Sequence, residues 1–242
     1  MIQIIVPLAA IKAFSKDVDY AFPLPLIDVK GKVLIQYVLE NLGSLNEEKQ
    51  FIFIINESDS NKYHIDNTLR QLVDNSTFIY LKEKTKGSVC SVLMAVDEIV
   101  PDLECIIVNS DQFIDFDYDN VVKKFRDDDV DGGVITFNSL HPRWSYVRVE
   151  NEYVVETAEK NPISNNAIAG FYYFKKSQFF IDAAFKTILN DVNYQNKYYT
   201  SSVYNQMILD GKKVKNFPIT TDRYHSFYSP EKIKDFEIFL KT

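Results

Sequence analysis

Apolar positions along this chain recur in two periods that alternate through its first half. Residues 2–8 are almost continuously apolar, which predicts a strand buried on both faces. Residues 33–42 place Leu34, Ile35, Val38, Leu39 and Leu42 at helical spacing, with Gly43 positioned to end the helix. Residues 51–55 predict a second buried strand. Residues 63–73 predict a helix with Ile65, Leu69, Leu72 and Val73 roughly on one face. Residues 76–81 read as a third strand, 88–100 as a helix and 105–108 as a fourth strand. Apolar strands between helices imply a parallel sheet covered on both faces.

The pattern changes near residue 130. Residues 132–138, 145–150, 153–159 and 167–174 predict strands with few helices between them. Helical stretches follow at 177–189, 201–209 and 230–240, with a short strand at 214–219. Thr200, Ser201 and Ser202 offer N-caps for the middle helix, and Gly211 lies just past its end. There is no internal repeat and no low-complexity linker. The reading is one α/β domain over 1–242, with a nucleotide-binding-type half (1–130) and a mixed-sheet second half (131–242).

Composition narrows the function classes. The 242 residues carry 34 acidic and 27 basic side chains, a formal net charge of −7. That argues against broad capture of nucleic acid or an anionic membrane, though not against a small basic pocket for one phosphate. Only seven residues are glycine, the first being Gly31. The opening strand is therefore followed by neither a G-x-G-x-x-G fingerprint nor a G-x-x-x-x-G-K-[ST] loop. Cys90 and Cys105 lie in apolar runs outside any C-x-x-C or Cys/His cluster, so a zinc site is not indicated. No apolar run approaches the ~18 residues of a membrane span, and residues 2–6 lack the basic flank of a secretory signal. The expectation is a cytoplasmic protein with reduced thiols.

Ligands of open α/β sheets bind beyond the carboxyl ends of strands. The segment Asn109-Ser110-Asp111-Gln112 directly follows the fourth strand. Asp111 there either caps the next turn or holds a divalent cation against phosphate oxygens. Asp115 and Asp117, two apart, read as a metal pair or as a solvated helix start. The acidic run at 126–131 reads as an exposed turn. Glu159-Lys160-Asn161-Pro162 closes another strand; the lysine suits one phosphate and the glutamate can accept hydroxyl hydrogen bonds, or the two form an ordinary exposed pair. His64, His141 and His225 are scattered. Trp144 either stacks on a ligand ring or packs.

In their order along the chain, Pro23 to Lys32 (PLPLIDVKGK), Lys86-Gly87, Asn109-Ser110-Asp111-Gln112, Glu159-Lys160-Asn161-Pro162 and Ala169-Gly170-Phe171-Tyr172-Tyr173-Phe174 resemble the sugar-1-phosphate nucleotidyltransferases. The resemblance is closest to the bacterial branch with an "NSDQ" strand end, often found with capsule and surface-glycan genes, and it spans nearly the whole chain. It implies a three-layer α/β/α fold of the nucleotide-diphospho-sugar transferase type (Rossmann-like), with 131–242 as the sugar-binding-type half. The implied activity joins a nucleoside triphosphate to a sugar 1-phosphate and releases pyrophosphate, with Mg²⁺ as cofactor and a nucleotide and a sugar phosphate as partners. A homo-oligomer is compatible with it. By position, Asp111 is the implied Mg²⁺ ligand and, with Lys160, the implied catalytic pair. Gly87 would lie against the base, Asn109 and Gln112 would border the substrate, Glu159 would hold sugar hydroxyls, Lys160 the sugar phosphate, and Gly170 would admit the sugar ring.

The sequence departs from the family at the triphosphate loop. The positions of the G-x-G-x-R signature hold Ala10, Lys12 and Phe14, and the P-K-P lysine is Leu24. Ser226 stands where a second metal carboxylate is expected. Lys12, as a substrate-binding residue, and Lys16 either replace the lost cations in part or lie in a solvated loop. Three activities are therefore weighed: a nucleotidyltransferase with an altered loop, a glycosyltransferase of the same fold using Asp115 and Asp117, and a non-catalytic paralogue that binds a sugar phosphate or nucleotide.

Overall fold

The computed structural model describes residues 1–9 and 22–241. Ala10, Lys12, Phe14 and Lys16 lie outside the described residues. In chain order the elements are β1 (Ile2–Pro7), β2 (Asp28–Val29), β3 (Lys32–Val33), α1 (Leu34–Leu42), β4 (Lys49–Asn56), α2 (Glu57–Tyr63), α3 (Ile65–Leu72), β5 (Ser76–Leu81), α4 (Ser88–Leu93), β6 (Cys105–Val108) and β7 (Gln112–Ile114). They continue with α5 (Tyr118–Asp127), β8 (Gly132–Asn138), β9 (Ser145–Glu150), β10 (Tyr153–Glu159), β11 (Asn166–Phe174), α6 (Ser177–Leu189), α7 (Thr200–Leu209), β12 (Val214–Ile219), β13 (Tyr224–Ser226) and α8 (Pro230–Phe239).

The fold is the expected three-layer α/β/α arrangement around a mixed, mostly parallel sheet. β5, β4, β1 and β6 run parallel side by side. β11 lies antiparallel to β6, β8 antiparallel to β11, and β12 parallel to β8. Strand alternation divides the core between the two faces. Ile4 and Val6 of β1 face α1, α5 and α8 with Val38, Phe125 and Phe236; Ile5 faces α4, α6 and α7 with Val92, Phe180 and Tyr204. Strands apolar on both sides of the pleat have to be covered on both sides, which is why their apolar runs are continuous.

β11 is the pivot of the sheet. At Ala167 it pairs with Tyr146 of β9, while Phe171 to Phe174 pair with β6. Its register against β8 shifts between Ile168 and Tyr172. β9 and β6 therefore pair with successive stretches of β11, and the β9–β10 hairpin follows β6 along that strand.

Several elements differ from the sequence expectations, each for a visible reason. The helix expected at 63–73 is two helices, broken at His64, whose φ of 52° is left-handed and whose amide closes the first helix on Ser60. α2 has no apolar stripe and so no period to read. The helix expected at 88–100 ends at Leu93, followed by a 3₁₀ turn. α5 runs through what read as a solvated start and an acidic turn; Tyr118, Val121, Val122 and Phe125 are buried at helical spacing, and the flanking aspartates obscure them. Thr200, Ser201 and Ser202 do not cap α7, because Tyr199 occupies the N-cap and the hydroxyls of Thr200 and Ser201 bind other elements.

Below the sheet, Glu104 accepts from Arg126 Nε at 2.9 Å and from the Tyr173 hydroxyl, and Arg126 also reaches Glu47 at 2.7 Å. Burial pushes the Glu104 carboxyl up, but the hydrogen bonds from Arg126 and Tyr173 outweigh it and hold the group below its ordinary range. A carboxylate with a depressed folded pKa contributes stability that is present above its unfolded pKa, about 4.3, and is lost as pH falls through the folded value. Thermal melts of the wild type should therefore drop as pH falls from about 5 to 3. Glu104→Gln should be less stable at neutral pH and show a shallower drop.

Candidate active site

The site is built on the end of β6. Asn109 follows it, and its amide donates to the Gly170 carbonyl at 2.9 Å, so the chain leaving β6 is tied to the pivot of β11. Gly170 has φ of 63°, and a Cβ there would lie 2.5 Å from Gln112 Oε1 and 2.6 Å from Asn109 Nδ2. Both facts require glycine. Gln112 is buried, donates to the Ala169 carbonyl, and accepts from the Tyr224 hydroxyl at 3.1 Å. Three expected residues, Asn109, Gln112 and Gly170, thus meet. What presses on the glycine is their own amide side chains.

β7 pairs with β13, a ladder with no clear sequence signal because each strand has three residues. Ser226 lies opposite Gln112, and the Phe227 amide donates to the Asp111 carbonyl at 2.8 Å. Ser226, the position where a second carboxylate is expected, is brought beside Asp111. The Asp111 side chain is open to solvent at the floor of a crevice. Crowding by surrounding protein pushes its carboxyl above the usual range, while water still reaches it.

Glu159 ends β10, held opposite Ser145 of β9. It accepts hydrogen bonds from Ser145 Oγ and, at 2.9 Å, from Ser201 Oγ of α7. Burial raises its pKa; the two hydroxyls and the charge of Lys160 pull it back. Lys160 has left-handed φ of 53°, and its amide donates to the Trp144 carbonyl at 3.0 Å. Its ammonium donates to the Tyr199 hydroxyl at 3.3 Å and lies 5.4 Å from the Tyr194 ring centroid. Tyr172 feels both acidic groups. Burial raises its phenol, the charges of Glu159 and Asp111 push the same way, and Ser145 hydrogen-bonds to it.

Gly87 sits at the start of α4 with φ of 106°. A Cβ there would be 2.3 Å from the Tyr198 carbonyl oxygen. Val89 donates to that carbonyl at 3.2 Å, and the Tyr198 amide donates to Lys86 at 2.8 Å. The close approach is thus to the backbone of residue 198. Residues 198–201 tie both sides together: Tyr198 to the Gly87 loop, Thr200 to Ser88 at 2.9 Å, Tyr199 to Lys160 and Ser201 to Glu159. Sequence reasoning missed Ser145, Tyr172, Tyr199, Ser201 and Tyr224, since each acts through partners distant in the chain. Asp117 caps α5, accepting from the Asp119 amide at 2.9 Å and Asn120 Nδ2 at 2.8 Å, which is its helix-start reading. Trp144 packs edge-on to Phe137 and Tyr224. Leu24 is buried in the core.

The profile of the Nucleotidyl transferase family matches residues 18–220. The chain belongs to the nucleotidyl transferase family. Among solved structures, the nucleoside-diphosphate-sugar pyrophosphorylase from Vibrio cholerae RC9 is similar at 20% identity, with a TM-score of 0.83 over 98% of this chain and 100% of that one. The inositol-1-phosphate CTP transferase from T. maritima is similar at 16% identity, with a TM-score of 0.75 over 99% of this chain and 95% of that one. At such identities the likeness is one of fold. No curated protein matches the chain.

Among the described residues no group of three or more His, Cys, Asp or Glu gathers around a metal position. The donor set nevertheless fits Mg²⁺, which keeps several waters and takes one or two carboxylates together with substrate phosphates. Asp111, open to solvent just after β6, offers one such carboxylate. Among the described residues, no helix is long and apolar enough to cross a membrane.

Gly170→Ala should force the Asn109 and Gln112 amides apart and strain a left-handed residue. We expect a loss of about 1–3 kcal/mol in denaturant melts, well beyond that of Gly211→Ala, whose Cβ would meet nothing within 4 Å.

Proposed function

We propose that this protein joins a nucleoside triphosphate to a sugar 1-phosphate, or a similar polyol phosphate, giving a nucleoside-diphosphate sugar and pyrophosphate. The observation that supports the reading is that Asp111, just after the carboxyl end of β6, and Glu159, next to Lys160 at the end of β10, both act on the buried Tyr172 phenol. Membership of the nucleotidyl transferase family supports it.

In this reaction an oxygen of the sugar phosphate attacks the α-phosphorus of the triphosphate. The bond from that phosphorus to the bridging oxygen breaks, and pyrophosphate leaves with the electron pair. The chemistry is mostly positioning and charge compensation. Lys160, steadied by Tyr199 and Tyr194, brings a positive charge to the incoming phosphate. Glu159, fixed by Ser145 and Ser201, keeps acceptor capacity for sugar hydroxyls. Asn109 and Gln112 brace the floor against Gly170, and the Gln112 amide is held by Ala169 and Tyr224. Asp111 would hold Mg²⁺, which supplies charge neutralisation on the phosphates when bound. The reading places the enzyme in the cytoplasm, its product serving surface-polysaccharide synthesis.

Ser226 favours a second reading. With a hydroxyl where another carboxylate is expected, the protein could bind the same ligands without turning them over. Pyrophosphate release, followed over a panel of nucleoside triphosphates and sugar 1-phosphates with Mg²⁺, separates the two. Transfer predicts release that falls about 10²–10³-fold in Asp111→Asn. Lys160→Ala should lower kcat/KM for the sugar phosphate about ten- to a hundred-fold, as expected for loss of a charged hydrogen bond. Binding of nucleotide or sugar phosphate with no release across the panel would leave the second reading.

A further inference from the structure

An open cleft of ≈ 320 Å³ has Trp144, Tyr224, Ser226 and Tyr228 among its wall residues. Tyr224 joins it to the candidate site through its hydroxyl bond to Gln112. Trp144 joins it on the other side, since its carbonyl accepts from the Lys160 amide. Two wall residues of the cleft are therefore bonded directly to residues of the candidate site.

Arg143 stacks against two of the cleft's wall residues. Its guanidinium lies 3.5 Å from the centroid of the Tyr228 ring and 5.8 Å from that of Trp144. Its Nε is 3.2 Å from His141 Nδ1, and a terminal nitrogen is 3.4 Å from His141 Nε2. Among the described residues no carboxylate forms an ion pair with it. Stacking occupies the face of a guanidinium and leaves in-plane N–H donors, the arrangement suited to bidentate binding of a phosphate. Its positive charge is felt at the Tyr224 hydroxyl, which also feels Asp111.

Charge balance points the same way. Lys232 at the cleft wall is matched by Asp235 at 2.7 Å, while Asp222, also in the wall and hydrogen-bonded by Thr220 and its own backbone, keeps its negative charge. Asp111 and Glu159 both carry negative charge toward the crevice, and Lys160 is a single cation. A phosphate entering there gains from further positive charge beside Lys160 and the ion that Asp111 would hold.

We propose that Arg143 binds a phosphate group of the substrate in this cleft, as a second cation in addition to Lys160. The inference rests on the transferase reading above. The phosphate can belong to the nucleotide or to the sugar phosphate, and titration resolves which.

Calorimetry with Mg²⁺ would compare the wild type, Arg143→Ala, Arg143→Lys and the remote control Arg148→Ala. Each would be titrated separately with inorganic pyrophosphate, a nucleoside triphosphate and a sugar 1-phosphate. Arg143→Ala should bind about ten- to a hundred-fold more weakly in one arm, the loss expected for a charged hydrogen-bonded pair. Arg143→Lys should recover part of the loss, and Arg148→Ala none of it should show. Loss confined to the sugar-phosphate arm assigns the cleft to that substrate; loss in the triphosphate and pyrophosphate arms assigns it to the nucleotide. Thermal melts of each variant exclude misfolding, and Arg143→Lys, which retains the charge and most of the packing, carries the test if Arg143→Ala is unstable. Affinities within twofold of wild type in every arm for both Arg143 variants would overturn the inference and leave the transferase reading standing. No binding by the wild type in any arm would overturn the transferase reading and this inference with it.

Discussion

The left-handed turn of β11 at Gly170 is the constraint on which the site depends. Before it the strand pairs with β9; after it the strand pairs with β6. One strand cannot keep both neighbours on the same edge without parting them, so the sheet splits there. The split leaves the end of β6 facing a crevice, with the β9–β10 hairpin as the opposite wall. Asn109 and Gln112 close the gap above the glycine, and any Cβ at residue 170 would collide with them. Fold and site are joined at that residue.

The opposite wall shows how a polar site is kept rigid. Glu159 is held by hydroxyls from two elements, and α7 is fixed to β10 by Asn205, which both donates to and accepts from the Thr157 backbone at 2.8 and 2.7 Å. A half-buried carboxylate left unpaired would be costly, and two hydroxyls remove most of that cost. The segment at 198–201 extends the same brace to the Gly87 loop. The two sides of the crevice are thus not independent. A ligand that orders one meets a backbone already bonded to the other.

Much of the fold was legible. β5, β6, β8, β9, β10, β12 and α6 fall where their apolar patterns put them, because a strand covered on both faces shows continuous hydrophobicity and a covered helix shows its stripe. The elements misread are those whose period is hidden. α2 carries no apolar face, and α5 is framed by aspartates. β7 and β13 are three residues each, too short for alternation to register. Of the site, the sequence pointed to Asp111, Glu159, Lys160, Asn109, Gln112 and Gly170 through position and order. It assigned no site role to Ser145, Ser201, Tyr199 or Tyr172, ordinary residue types that matter only through what they touch.

The sequence alone therefore determined the layers, the direction of the early strands and which segments end at the carboxyl edge of the sheet. Those follow from periodicity, which is local. The tertiary structure decided that Gly87 yields to the backbone of residue 198, that Gly170 yields to two amides, and that Ser226 is paired next to Asp111. It also decided that Arg143 lies over Tyr228, close to neighbours some 85 residues on in the chain. Such contacts are set by how separate elements pack, and no local pattern of residues encodes them.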